Sequence, residues 1–385
     1  MLKRIHKLGL SGFVFLAAAV THAAGQALVT PAPSGASAVG THWVRLIDTL
    51  REDPVLRNGT KRELMVRFWY PIAPNSSCRI AEYSSPKVWA YVSEMLGSSL
   101  PRVTTHSCLD ARVADDSHPV VIFSHGYTGT FTDGTFLFEE LASRGYVVIS
   151  VAHTHESTAV EFPDGRVVGS RFGSYLDQNS LRSDESSLRL ARSVRLGDVK
   201  FVLDQLPLLR APGAWFGDRL DLSRIAVVGH SLGAEVALTS LQRDPRVRAA
   251  VLLDAPITQE DVGGTGKPVL LVAAGRQRWS NQECSLWNNL HGPRLAANLR
   301  GAGHLTPTDA VWLFKDVPEL APSGAIGAEN AVTVLRSLTA GFLDSNLRGS
   351  TLSPPVSSPH RNVAITTQND LLCHELKNVV RGKIP

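Results

Sequence analysis

"GHSLGAEVAL", residues 229–238, directly follows the apolar run from Arg224 to Val228. Gly229, Ser231 and Gly233 form G-x-S-x-G on a turn from a buried strand into a helix that begins near Leu232, the nucleophile-elbow arrangement. The flanking glycines are demanded there because so sharp a turn brings backbones into contact. Ser231 is thereby presented at the sheet edge in strained geometry, with a helix N-terminus behind it that favours developing negative charge. The bare pattern is weak in a chain rich in Gly and Ser; the strand before it, the helix after it and suitable partners downstream make it specific.

Outward from this turn, short apolar runs alternate with longer helical patterns. Strands are expected at Trp43 to Thr49, Glu63 to Tyr70, Pro119 to Ser124, Tyr146 to Ala152, Arg224 to Val228, Val247 to Leu253, Pro268 to Ala273 and Arg294 to Leu299. "PVVIFSHG" (119–126) and "YVVISVAH" (146–153) are continuous rather than alternating, as strands covered on both faces are. Helices are expected at Gly134 to Ser143, Ser183 to Leu206, Ser231 to Gln242 and Ala328 to Leu343. This alternation predicts an α/β fold: a mostly parallel central sheet with helices on both faces and ligands at the carboxyl ends of its strands.

A serine hydroxyl becomes nucleophilic when a histidine takes its proton and a carboxylate fixes that histidine. In chain order the histidine is His304, in the Gly-rich loop "RGAGHLTP" (300–307) after the last expected strand. His291 precedes that strand, and His360 and His374 belong to the tail. The acid is Asp254, which ends the strand in "RAAVLLDAP" (248–256); the loop after the next strand, "PVLLVAAGRQRW" (268–279), reaches no carboxylate before Glu283. An oxyanion hole needs two convergent N–H groups, here those of Leu232 and of Tyr127 in "SHGYTGT" (124–130). His125 reads as structural. His153 and His155 in "VAHTHEST" (151–158) resemble a metal pair, but no carboxylate or cysteine cluster joins them, so neither metal nor cofactor is expected.

With 385 residues, 43% hydrophobic and 19% charged, the chain can bury a large core in one large domain or two small ones. Lys3, Arg4 and Lys7 precede the apolar run Leu8 to Val20 and the small residues Ala23 and Ala24, the layout of a secretory signal peptide (1–23). As a retained anchor this run is too short to span a bilayer well. Its removal takes three positive charges from a formal net charge of +4, leaving no electrostatic case for nucleic acid. Outside the cytoplasm four cysteines can pair completely: proximity favours Cys78 with Cys108 and leaves Cys284 for Cys373. The expected layout is a flexible lead-in (24–41), one domain (42–346) with an insertion (73–118), and a Ser/Pro/Gly-rich tail (347–385). Within the insertion, "SSPKVWAYVSEMLG" (84–97) predicts a helix with Ser85 as N-cap, Pro86 in its first turn and an apolar stripe of Val88, Trp89, Val92, Met95 and Leu96. That stripe either packs on the body or lies beside the site mouth.

On "VVIFSHG", "GHSLGA", "LLDAP" and "GAGH", the chain from about Leu64 to Leu343 resembles the α/β-hydrolase superfamily, and within it the platelet-activating-factor acetylhydrolase group and related bacterial esterases. The resemblance implies the α/β-hydrolase fold and hydrolysis of carboxylic esters, often with short acyl groups and sometimes on phospholipids, without a metal. It also supports the early acid Asp254, and implies that the helix at 85–97 meets a lipid surface. Ala234 stands where the animal enzymes usually have a further Gly, and residues 255–303 form a shorter stretch than theirs. An exported serine esterase is the expected function; an acyltransferase on the same residues and a silent binding module on the same fold are the alternatives.

Overall fold

The computed structural model describes residues 27–97, 99–174, 181–315, 323–350 and 363–367. The expected signal peptide, Cys373 and most of the tail lie outside them. In chain order the elements are β1 (Leu28–Val29), β2 (Val39–Glu52), β3 (Lys61–Pro71), β4 (Ile80–Glu82), α1 (Pro86–Met95), β5 (Val103–Leu109), β6 (His118–Ser124), α2 (Thr135–Ser143) and β7 (Val147–Ala152). There follow β8 (Ala159–Glu161), β9 (Val167–Gly169), α3 (Glu185–Leu209), β10 (Leu220–His230), α4 (Leu232–Arg243), β11 (Val247–Leu253) and β12 (Val269–Ala274). α5 (Asn281–Asn289), β13 (Arg294–Leu299), α6 (Ala310–Leu313), α7 (Ala328–Leu347) and β14 (Val363–Thr367) complete the set.

One sheet runs in the order β1-β5-β2-β3-β7-β6-β10-β11-β12-β13-β14, with β4 beside β5. From β7 to β13 every neighbouring pair is parallel. The continuous strands have two faces to fill. Val120, Ile122, Val227 and Leu252 pack with α3, α4 and α5, while Val121, Phe123, Val228 and Leu253 pack with α2 and α7. After β6 the chain moves to β7 on one side, and after β10 to β11 on the other. The loops leaving β6 and β10 therefore part at the carboxyl edge, opening the crevice where α/β sheets bind ligands.

The lead-in is more ordered than its composition predicts. Leu28 and Val29 pair with Val103 and Thr104 of β5, and β2 already begins at Val39. Polar capture holds the stretch between: Thr30 Oγ1 donates to Glu139 at 2.6 Å, Ser34 to Glu140, and Arg336 to the carbonyls of Pro31 and Ala32. The tail likewise contributes β14, antiparallel to β13.

In α1, Ser85 accepts from Val88 N and Pro86 occupies the first turn. Val88 and Val92 are buried. Trp89 is half-buried against the ring of Tyr83, its indole N–H donating to Pro101 O at 3.0 Å. Val88, Trp89 and Val92 of the stripe thus pack on the body, Met95 and Leu96 are half-buried, and Tyr91, off the stripe, is exposed.

Cys78 and Cys108 are joined, and Cys284 is disulfide-bonded as well; its expected partner Cys373 lies outside the described residues. The Cys78–Cys108 bond closes a separation of 30 residues that includes α1 and most of β5. A loop of this size is worth about 2 to 4 kcal/mol. Loss of this bond on reduction is therefore expected to lower the calorimetric Tm by about 3 to 6 °C. An unchanged Tm on full reduction, with thiols titrated to prove it, would contradict this.

Candidate active site

Ser231 lies between β10 and α4 with φ 54 and ψ −124, a left-handed backbone that costs about 1 to 3 kcal/mol in a non-glycine residue. Its neighbours impose this. A Cβ on Gly229 would lie 2.0 Å from Gly233 O, and one on Gly233 would lie 2.0 Å from Ser124 O. Asp254, at the end of β11, is likewise held at φ 49, its N–H donating to Val272 O at 2.7 Å.

The loop after β13 brings His304 between them. Its Nε2 is 2.9 Å from Ser231 Oγ and its Nδ1 is 2.6 Å from Asp254 Oδ2. With Nδ1 protonated toward the carboxylate, Nε2 is left to accept from the serine hydroxyl. Asp254 is buried, which works to raise its carboxyl, but the hydrogen bond and charge of His304, the charge of Arg276 and the Ala274 N–H outweigh this and hold it below the usual carboxylate range. His230, the x of G-x-S, lies under His304 with ring centroids 4.8 Å apart, and its Nε2 donates to the His304 carbonyl at 2.8 Å. Burial, aided by the charge of His304, pushes its imidazole down to about 3, so it is a neutral brace.

Leu232 opens α4, so its N–H is one of the first-turn donors that find no acceptor within the helix. The loop after β6 passes close by: a Cβ on Gly126 would lie 2.8 Å from His230 Nδ1 and 3.6 Å from Ser231 Cβ. Tyr127 follows, its ring edge-on to Phe172, while Phe172 packs with Leu232 and Leu190.

Beneath this loop lies a buried polar network that the sequence does not advertise. Arg195, from the middle of α3, donates to His125 O and to Gly126 O (2.8 Å) and pairs with Glu156. Glu156 in turn accepts from Thr128 N at 2.8 Å, so one ion pair grips the loop on both sides of Tyr127. His125 Nδ1 donates to Gly126 O, and its Nε2 accepts from Ser157, a structural role. His153 spans Ser124 Oγ and Asp198 Oδ2, each at 3.0 Å, and burial pushes it down to about 4. His155 faces a different carboxylate, Asp53, at 3.8 Å. Among the described residues no group of three His, Cys, Asp or Glu is placed to hold a metal ion.

Glu283 is in the first turn of α5, tied by a capping box with Ser280 and paired with Arg276 at 3.2 Å. The sequence does carry that signal, as Ser280-x-x-Glu283.

A sheet of this topology, with a serine elbow, a histidine and an acid at its carboxyl edge, defines an α/β-hydrolase. The family profile of "Platelet-activating factor acetylhydrolase, isoform II" matches residues 25–164 and 178–348, and the chain belongs to that family of carboxylic ester hydrolases. A protein of Arthroderma benhamiae named "Probable 1-alkyl-2-acetylglycerophosphocholine esterase" is 27% identical over 305 residues, covering 71% of this chain and 72% of its own. The platelet-activating factor acetylhydrolase of Bos taurus is 23% identical over 294 residues, covering 66% of this chain and 63% of its own. Among solved structures, a ferulic acid esterase from Streptomyces cinnamoneus matches with a TM-score of 0.75 at 33% identity, over 89% of this chain and all of its own.

Proposed function

We propose that this chain is an exported serine esterase acting on small or short-acyl carboxylic esters, in two steps. Ser231 Oγ attacks the ester carbonyl while His304 Nε2 takes its proton. The alkoxide leaves with that proton, and an acyl-Ser231 remains. Water, deprotonated by the same His304, then attacks the acyl carbon; the acid departs and Ser231 recovers its hydrogen. Asp254 fixes the imidazole tautomer and stabilises its transient positive charge. The N–H groups of Leu232 and Tyr127 hold the oxyanion.

The observation that carries this reading is the single imidazole bridging Ser231 Oγ at 2.9 Å and Asp254 at 2.6 Å on a strained elbow. Export rests on the N-terminal layout together with the disulfides. The substrate class rests on the acetyl-ester and ferulic acid esterase relatives.

A fluorophosphonate probe is expected to label the protein once, at Ser231, because an activated serine alone reacts at neutral pH. Labelling that survives Ser231→Ala would overturn the assignment. Aryl esters from acetate to palmitate, assayed beside that variant, set the acyl length. Product analysis with added alcohol separates hydrolysis from acyl transfer.

A further inference from the structure

Resting on the triad reading above, we infer that Arg276 is a positioning residue that sits on the catalytic acid and, balanced by Glu283, sets the pH at which the triad becomes active. Its guanidinium Nη2 lies 3.1 Å from Asp254 Oδ1, the oxygen that His304 does not use. The same oxygen also accepts from Ala274 N at 2.9 Å. Thus one carboxylate faces an imidazole on one side and a guanidinium on the other.

The arginine is anchored at both ends. Its main-chain N–H donates to Asn298 Oδ1 at 3.0 Å and its carbonyl accepts from Asn298 Nδ2 at 2.7 Å. Its Nε donates to Glu283 Oε1 at 3.2 Å, while the other oxygen of Glu283 accepts from Ser280 N at 2.7 Å. Leu252, Leu271 and Trp279 line the cavity these groups share, in which Asp254 and Glu283 are buried and Arg276 is half-buried. Asp254 is 2% exposed.

The sign follows from the charges. During catalysis Asp254 stabilises the imidazolium of His304, and a second cation on the same carboxylate opposes that stabilisation. Arg276 therefore offsets part of that stabilisation and extends activity toward acid. Glu283 neutralises Arg276 in part and works the other way. The remaining charged or titratable neighbours are His230, kept neutral by burial, and Arg195, more distant under the loop after β6.

The test is the pH profile of kcat/KM on a soluble acetate ester, normalised to active sites by fluorophosphonate titration. Removing the cation in Arg276→Met is expected to move the acid limb up by about one pH unit. Removing the counter-charge in Glu283→Gln is expected to move it down by about half a unit. Arg276→Lys, which keeps the charge, is expected to stay near the wild-type limb. A purely structural arginine would lower Tm and the titrated fraction in all three variants without moving the limb in opposite directions. Limbs that coincide with wild type, or that shift the same way in Arg276→Met and Glu283→Gln, would overturn the inference alone. A wild-type profile with no acid limb between about pH 4 and 8 would overturn the triad reading with it.

Discussion

Asp254→Asn is expected to lower kcat on an aryl acetate by about ten-thousand-fold, with much smaller change in KM. Asparagine fits the space, but its amide can no longer accept at both oxygens. In the wild type, Oδ2 meets His304 Nδ1 and Oδ1 meets Ala274 N. Either amide orientation spoils one of these bonds, and an NH₂ turned toward His304 forces the tautomer that leaves Nε2 protonated and unable to take the proton of Ser231. Glu283→Gln, by contrast, is expected to cost at most a few-fold, because Glu283 reaches Asp254 only through Arg276. Steady-state rates normalised by active-site titration decide the matter. A larger loss in Glu283→Gln than in Asp254→Asn would move the acid to α5.

What the sequence discloses follows from what each residue packs against. β6 and β7 are legible because both faces meet apolar helices, so "PVVIFS" and "YVVISVA" are apolar but for one buried serine each, Ser124 and Ser150. β5 is not, because its inward Thr105 and Ser107 are polar and buried. Glu139 of α2 satisfies this region, accepting from Ser107 Oγ at 2.6 Å, His106 N at 2.7 Å and Thr30 Oγ1 at 2.6 Å. A buried carboxylate from a helix far along the chain thus replaces the apolar alternation by which strands are found. β14 is hidden differently: five residues in a Ser/Pro-rich tail become a strand by pairing with the edge of β13.

The site divides the same way. Ser231, Asp254 and His304 each stand where a strand has just ended, and the structure brings the three within hydrogen-bond reach. Arg195, Glu156 and Arg276 escape because a charged residue on a helix or in a loop usually belongs to a solvated face. Only the tertiary fold shows that Arg195 points inward and is fully buried.

That burial makes Arg195 the site of the other large effect. Arg195→Met leaves Glu156 buried with Thr128 N as its remaining donor, and an uncompensated buried charge costs about 3 to 5 kcal/mol. Burial already pushes the Glu156 carboxyl above its usual range in spite of Arg195, so its protonation recovers part of the loss. The double variant Arg195→Met/Glu156→Gln carries no buried charge at this pair and is expected to regain most of the wild-type Tm. Its catalysis should not recover. The carbonyls of His125 and Gly126 lose the guanidinium that fixes them, and the N–H of Tyr127, the next residue and the proposed oxyanion donor, is expected to drift from its place. A lost oxyanion donor costs about a hundred-fold or more in kcat, because it acts on the transition state rather than on bound ester. The expected signature is therefore a double variant near wild type in Tm and KM but lower in kcat by about ten- to hundred-fold. If kcat returns with stability, the ion pair serves the fold alone. If Tm stays as low as in Arg195→Met, the unpaired carboxylate is not the source of the instability.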